Sequence, residues 1–130
     1  MKKKAELPDV YDVAIQKAVD KLYKKDFGAA LTHIKDAVVL KMDAPEPHNL
    51  LGILAEINGD DGKARKHYRA AYALDPTYKP ACRNLERLVD FFEEPVSRQY
   101  DYGIESESIV TAQPQAASPV LNREDYGTAS

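Results

Sequence analysis

The chain has one cysteine, Cys82, in 130 residues, so it holds neither an intrachain disulfide framework nor a multi-cysteine metal site. No apolar run approaches the roughly 20 residues that span a bilayer. Charge of one sign is also scarce. With 18 Lys+Arg against 21 Asp+Glu the formal net charge is −3, which exerts no global pull towards nucleic acid or an anionic membrane. Glycine-rich phosphate loops, a nucleophile elbow and a His-Glu helix motif are all missing, and the acids are scattered over the chain. These absences argue against an enzyme and against a cofactor. The histidines His33, His48 and His67 each stand alone in sequence. His33 and His67 lie 34 residues apart, on equivalent places of two stacked units. Packed helices stand roughly 10 Å apart, too far to share one ion at Zn–N distances near 2 Å, so no metal is expected. Met1-Lys2-Lys3-Lys4 is followed by Ala5-Glu6-Leu7-Pro8-Asp9 instead of an apolar stretch, so export is not expected and a cytoplasmic address is the default.

What is present is a neutral, periodic segment followed by an acidic, aperiodic one. Residues 1–94 hold 16 basic and 16 acidic side chains; residues 95–130 hold two arginines and five acids, and so carry the whole net charge. After Pro95 the chain turns to Ser, Gln, Ala, Pro and Thr without a sustained period. Such a segment buries too little apolar surface to offset ordering costs of about 1–2 kcal/mol per residue. The expected organisation is a frayed basic start at 1–7, a folded domain at 8–94 and a disordered acidic tail at 95–130.

Within 8–94 the apolar residues recur with helical spacing and no segment alternates over strand length, which predicts five helices and no sheet. Pro8 suits a first helical turn. Asp26 caps the second helix, Pro45 and Pro47 open the third, and Asn58-Gly59-Asp60 turns into the fourth. The fourth stops before Pro76, and the fifth begins near Lys79-Pro80. A shift of 34 residues places Ala18 on Gly52, Asp26 on Asp60, Ala30 on Ala64, Ile34 on Tyr68, Ala37 on Ala71 and Leu40 on Leu74. A 34-residue helix–turn–helix period is the signature of a stacked repeat whose units bury a face on one another. Gly52, with Ala64 and Ala71, removes bulk where two helices cross, and Leu51, Tyr68 and Leu74 fill the space around.

The run Asn49-Leu50-Leu51-Gly52, Asn58-Gly59-Asp60, Ala64, Tyr68, Ala71 and Asp75-Pro76 resembles a nearly complete tetratricopeptide repeat at 45–78. Residues 11–44 resemble a degenerate unit that keeps Ala18, Ala30 and Ala37, and residues 79–93 a closing helix with Glu86, Arg87 and Asp90 outside. Strict alignment puts Lys17 and Lys21 where buried apolar residues belong. A one-residue slip with a shorter turn puts Ala18 and Leu22 there instead, and the cost of burying unpaired lysines favours the slip. The resemblance implies an all-α, right-handed α-solenoid of antiparallel helix pairs.

It also implies a concave groove lined by the first helix of each unit. The groove-facing residues would be Ile15, Val19 and Tyr23, then Glu46, Asn49, Leu50, Ile53 and Ile57, then Arg83, Asn84 and Arg87. An apolar strip ending in an amide and guanidinium groups suits a peptide or amphipathic helix with apolar anchors and acids. The clamp by which some of these repeats grip the acidic C-termini of heat-shock chaperones is not matched. Its places hold Ile15, Val19, Leu50, Pro80 and Asn84, and only Asn84 offers a side-chain donor. The basic residues Lys63, Arg65, Lys66, His67 and Arg69 lack interleaved aromatics and read as a solvated face, not a nucleic-acid site. Cys82 reads as a small apolar filler.

The expected function is therefore a non-catalytic interaction module with a protein or peptide partner, and no nucleic-acid or membrane partner. The alternative is a self-associating structural solenoid, with a homodimer allowed because Val10, Val13, Phe91 and Phe92 leave both ends of the stack apolar. Tyr100-Asp101-Tyr102-Gly103-Ile104-Glu105, Ile109-Val110 and Val120-Leu121 combine apolar and acidic residues. Each could fill the chain's own groove, or a neighbour's, until a partner displaces it.

Overall fold

A computed structural model describes residues 7–89 and 98–104. Among them are five helices and no strand: α1 Val10–Tyr23, α2 Phe27–Leu40, α3 Glu46–Ile57, α4 Asp61–Leu74 and α5 Lys79–Leu88. The starts follow from local chemistry. The carboxylates of Asp9, Asp26 and Asp60 accept the backbone N–H of Tyr11, Ala29 and Lys63, each satisfying one orphan donor of a helix start. Pro8 thus precedes the cap of α1 and does not sit in its first turn. α3 and α5 have no side-chain cap and open with proline instead, at Pro47 and Pro80, where a missing N–H costs nothing. Positions 90–93 of the expected closing helix, residues 1–6 and tail residues 105–130 lie outside the described residues, Phe91 and Phe92 among them.

The two helix turns are copies. Lys24, Lys25 and Asp26 donate their N–H groups to the carbonyls of Asp20, Leu22 and Lys21; 34 residues later Asn58, Gly59 and Asp60 donate to Leu54, Glu56 and Ala55. Lys25 and Gly59 both take positive φ, 64° and 85°, so the first turn holds a lysine in a left-handed conformation that glycine adopts freely. This overturns the slip and the shorter turn: α1 keeps the strict register. Ala18 and Leu22 are buried, while Lys17 is exposed and Lys21 partly so. The reason lies in the neighbours. Leu51 and Ala55, the counterparts of the two lysines, face Leu31 of α2 across a narrow cleft. No helix precedes α1 among the described residues, so its corresponding face meets solvent.

α1 packs on α2, α3 on α4, and α5 on α4; α3 also touches α1, α2 and α5. The core takes Ala14, Ala18, Val19 and Leu22 from α1, Ala30, Ile34 and Ala37 from α2, Leu50, Ile53 and Leu54 from α3, and Ala64 and Tyr68 from α4. Ala18 with Gly52, Ala30 with Ala64, Ile34 with Tyr68 and Ala37 with Ala71 are buried as equivalent pairs. Gly52 does not mark a bare crossing of small side chains: a Cβ there would overlap the Tyr68 ring, which fills the space above the glycine. Leu74, expected to fill space around the helix crossing, is a further correction, and its equivalent Leu40 behaves alike. Both stand in the last turn of their helices and are exposed, 46% and 40%.

The Tyr68 ring and the Gly52 backbone thus form one complementary contact. Gly52→Ala should cost about 1–3 kcal/mol in urea denaturation, because the ring cannot withdraw without opening the core. Gly28→Ala, in α2 with open space around it, should be neutral or stabilise by up to about 1 kcal/mol.

Candidate functional site

The surface formed by α1, α3 and α5 carries residues 98–104 of the chain itself. The folded unit was expected to end at 94, yet Arg98 and Asp101 are hydrogen-bonded to it and Tyr100 and Tyr102 pack on it. The grip is built on two buried amides. Asn84 Nδ2 donates to Asn49 Oδ1 at 2.8 Å and to the Asp101 carbonyl at 2.9 Å; Asn84 Oδ1 accepts the Asp101 N–H at 2.9 Å. Asn49 Nδ2 donates to the same carbonyl at 2.9 Å. Both backbone polar groups of Asp101 are therefore paired with side-chain amides, much as a neighbouring strand would pair them. Asn49 and Asn84 are nearly inaccessible, 0% and 1% exposed, and such groups need the partners they have found.

Side chains flanking Asp101 add the rest. Arg83 pairs with its carboxylate at 2.9 Å from an exposed position. The Arg87 guanidinium lies over the Tyr100 ring, 5.1 Å from its centroid. Tyr102 packs against Tyr23 with ring centroids 4.4 Å apart. Asp101 Oδ1 accepts the N–H of Gly103, whose φ is 87°. A Cβ on Gly103 would strike the Tyr78 hydroxyl, so the turn needs glycine for both reasons. Burial pushes the Tyr78, Tyr100 and Tyr102 hydroxyls up from their ordinary range.

Beneath the segment lies an ionic network that sequence reasoning missed. The Glu56 carboxylate is fully buried. It accepts the Tyr68 hydroxyl, both terminal nitrogens of Arg87 at 2.8 and 2.7 Å, and Arg98 at 3.1 Å. Arg98 also forks onto Asp61 at 2.8 and 2.9 Å. The hydrogen bonds from Arg98 hold the Asp61 carboxyl below the usual range, and the same pair holds the Arg98 charge more firmly than usual. Burial, then the adjacent carboxylate of Glu56, pushes the Tyr68 hydroxyl far up. Glu56 is the 34-residue counterpart of Leu22, and an acid at an apolar place was the available signal.

The expected groove residues divide into four groups. Tyr23, Asn49, Arg83, Asn84 and Arg87 meet residues 98–104 directly. Ile57 lines an adjoining cleft of about 630 Å³ with Tyr100, Tyr102 and Phe27. Ile15, Val19, Leu50 and Ile53 belong to the core cluster, because α3 is enclosed by neighbours on several sides and α1 packs on both α2 and α3. Glu46 instead accepts the Tyr11 hydroxyl at 2.8 Å. Arg87, expected on the outside of the closing helix, is largely covered through its bond to Glu56. Cys82 is half-buried, with its thiol 4.0 Å from the Pro76 carbonyl. His48 and His67 approach to 6.4 Å between ring centroids, and burial lowers the pKa of both. Among the described residues no three metal-ligating side chains gather, and no helix is long and apolar enough to cross a membrane.

Removing Glu56 leaves two guanidinium groups and a hydroxyl without their buried acceptor. Glu56→Ala should cost about 3–5 kcal/mol in chemical denaturation, and Glu56→Gln clearly less, since it keeps one acceptor oxygen. Comparison of the sequence and structure with family models, curated proteins and solved structures gave no match.

Proposed function

We propose that the chain is a non-catalytic interaction module, a tetratricopeptide-like α-solenoid working in the cytoplasm, whose α1–α3–α5 face holds a non-helical peptide. One observation carries this reading: Asn49 and Asn84 pair both backbone polar groups of Asp101. Backbone pairing of that kind binds chain irrespective of side chain, and the pockets around it add selectivity. It favours a peptide over an amphipathic helix, whose own backbone groups are already paired. A display library of random heptapeptides selected on the full chain tests the reading. Selected peptides, added at millimolar concentration, should shift the side-chain amide NMR signals of both Asn49 and Asn84. Selected peptides that shift only resonances elsewhere would place binding on another face and reject it.

A second reading is favoured by a separate observation. Val10, Val13, Ala14, Val39 and Leu40, with Lys17, His33 and Asp36 beside them, line an open, largely apolar cleft of about 390 Å³ on the outer side of α1 and α2, with Val39 78% exposed. In this reading the module is a self-associating structural unit and 98–104 a permanent part of it. Light scattering should then show a concentration-dependent dimer that Val39→Glu dissolves; a monomer at all concentrations removes this reading.

A further inference from the structure

We propose that residues 98–103 are a resident competitor, and that the external ligand of the α1–α3–α5 face is a non-helical peptide of the same chemistry: arginine, then tyrosine–acid–tyrosine–glycine. The inference rests on the peptide-binding reading above and names its ligand. Five of the six residues have a counterpart on the helices. Arg98 meets Glu56 and Asp61, Tyr100 meets Arg87, Asp101 meets the two amides and Arg83, Tyr102 meets Tyr23, and Gly103 fits under Tyr78. Only Gln99 is exposed without such a contact among the described residues. The face therefore selects for spacing and charge as well as for backbone. It favours a cation two residues before the first ring, because Arg98 forks onto Asp61 while touching Glu56, so the two carboxylates are balanced by Arg87 and Arg98 together. A tethered segment that fills the site lowers the apparent affinity of any free ligand by the fraction of time the site is open. An intruding peptide must replace these contacts in kind, which gives the face a threshold as well as a preference.

The probe is the fluorescein-labelled heptapeptide Arg-Gln-Tyr-Asp-Tyr-Gly-Ile, followed by anisotropy on three full-length proteins: wild type, Gly103→Ala, and Tyr100→Ala/Asp101→Ala/Tyr102→Ala. Circular dichroism verifies the helices of each. Both variants should bind the peptide about tenfold or more tighter than wild type, and the gain should shrink at low salt for a peptide with lysine in place of its aspartate, which sets two cations together. Adding Asn84→Leu to either variant should abolish capture. Equal affinity for wild type and variants would show that 98–103 does not compete, and overturn the inference. So would folded variants that ignore the peptide. In that case library-selected peptides of other composition that still shift Asn49 and Asn84 leave the peptide-binding reading intact, whereas their absence removes both. Variants that both lose their helices would show the segment to be part of the fold and not a displaceable ligand, which also overturns the proposal.

Discussion

A single buried carboxylate ties the molecule together. Glu56 sits near the end of α3 with no exposed side-chain surface, and an unpaired charge there would be intolerable. Its four bonds reach Tyr68 of α4, Arg87 of α5 and Arg98 beyond the last described helix. Each of those groups is in turn partly desolvated and held by the same acceptor. The geometry of α4 and α5 relative to α3, and the return of the chain across them, are therefore conditions of one electrostatic balance. Apolar packing sets how closely the helices approach; the ionic junction fixes which face the returning segment meets.

The division of labour on that face is physical. Within the returning segment Asn49 and Asn84 bond to backbone atoms of residue 101 and to no side chain, so they hold chain of any sequence. Arg83, Arg87, Tyr23 and Tyr78 surround them with one exposed cation, one covered cation and two rings. Burying the amides makes their bonds obligatory, because water cannot replace a lost partner. Leaving Arg83 in solvent makes its pairing with Asp101 weak and salt-sensitive. A proposed ligand would be anchored by the first kind of contact and sorted by the second.

Much of the helical framework is legible in the residues. Asp26 and Asp60 read as caps, Pro47 and Pro80 as helix openings, and the pairs Ala30–Ala64 and Ala37–Ala71 as buried repeats, because each signal acts within a few residues. The register of α1 is not legible in the same way. Lys17 and Lys21 violate the apolar pattern only if a helix covers them, and coverage is a property of neighbours. Leu40 and Leu74 mislead for a related reason: a periodic leucine in a final turn can overhang the core it points along. For the site, the polar members Asn49, Arg83, Asn84 and Arg87 are visible in sequence as groove residues, while Leu50 and Ile53 are claimed by the core.

The sequence by itself determined the helices, their caps and the 34-residue spacing of equivalent residues, since caps and prolines act locally and periodicity repeats what they do. Only the tertiary structure decided that Glu56 is buried among cations, that Tyr68 needs Gly52 bare, and that Arg98 to Gly103 lie across α3 and α5. Those pairings join residues 13 to 52 positions apart. No local propensity encodes them: a charge in isolation is satisfied by water and takes a partner only when the fold removes that water, and a ring seeks burial without specifying against what.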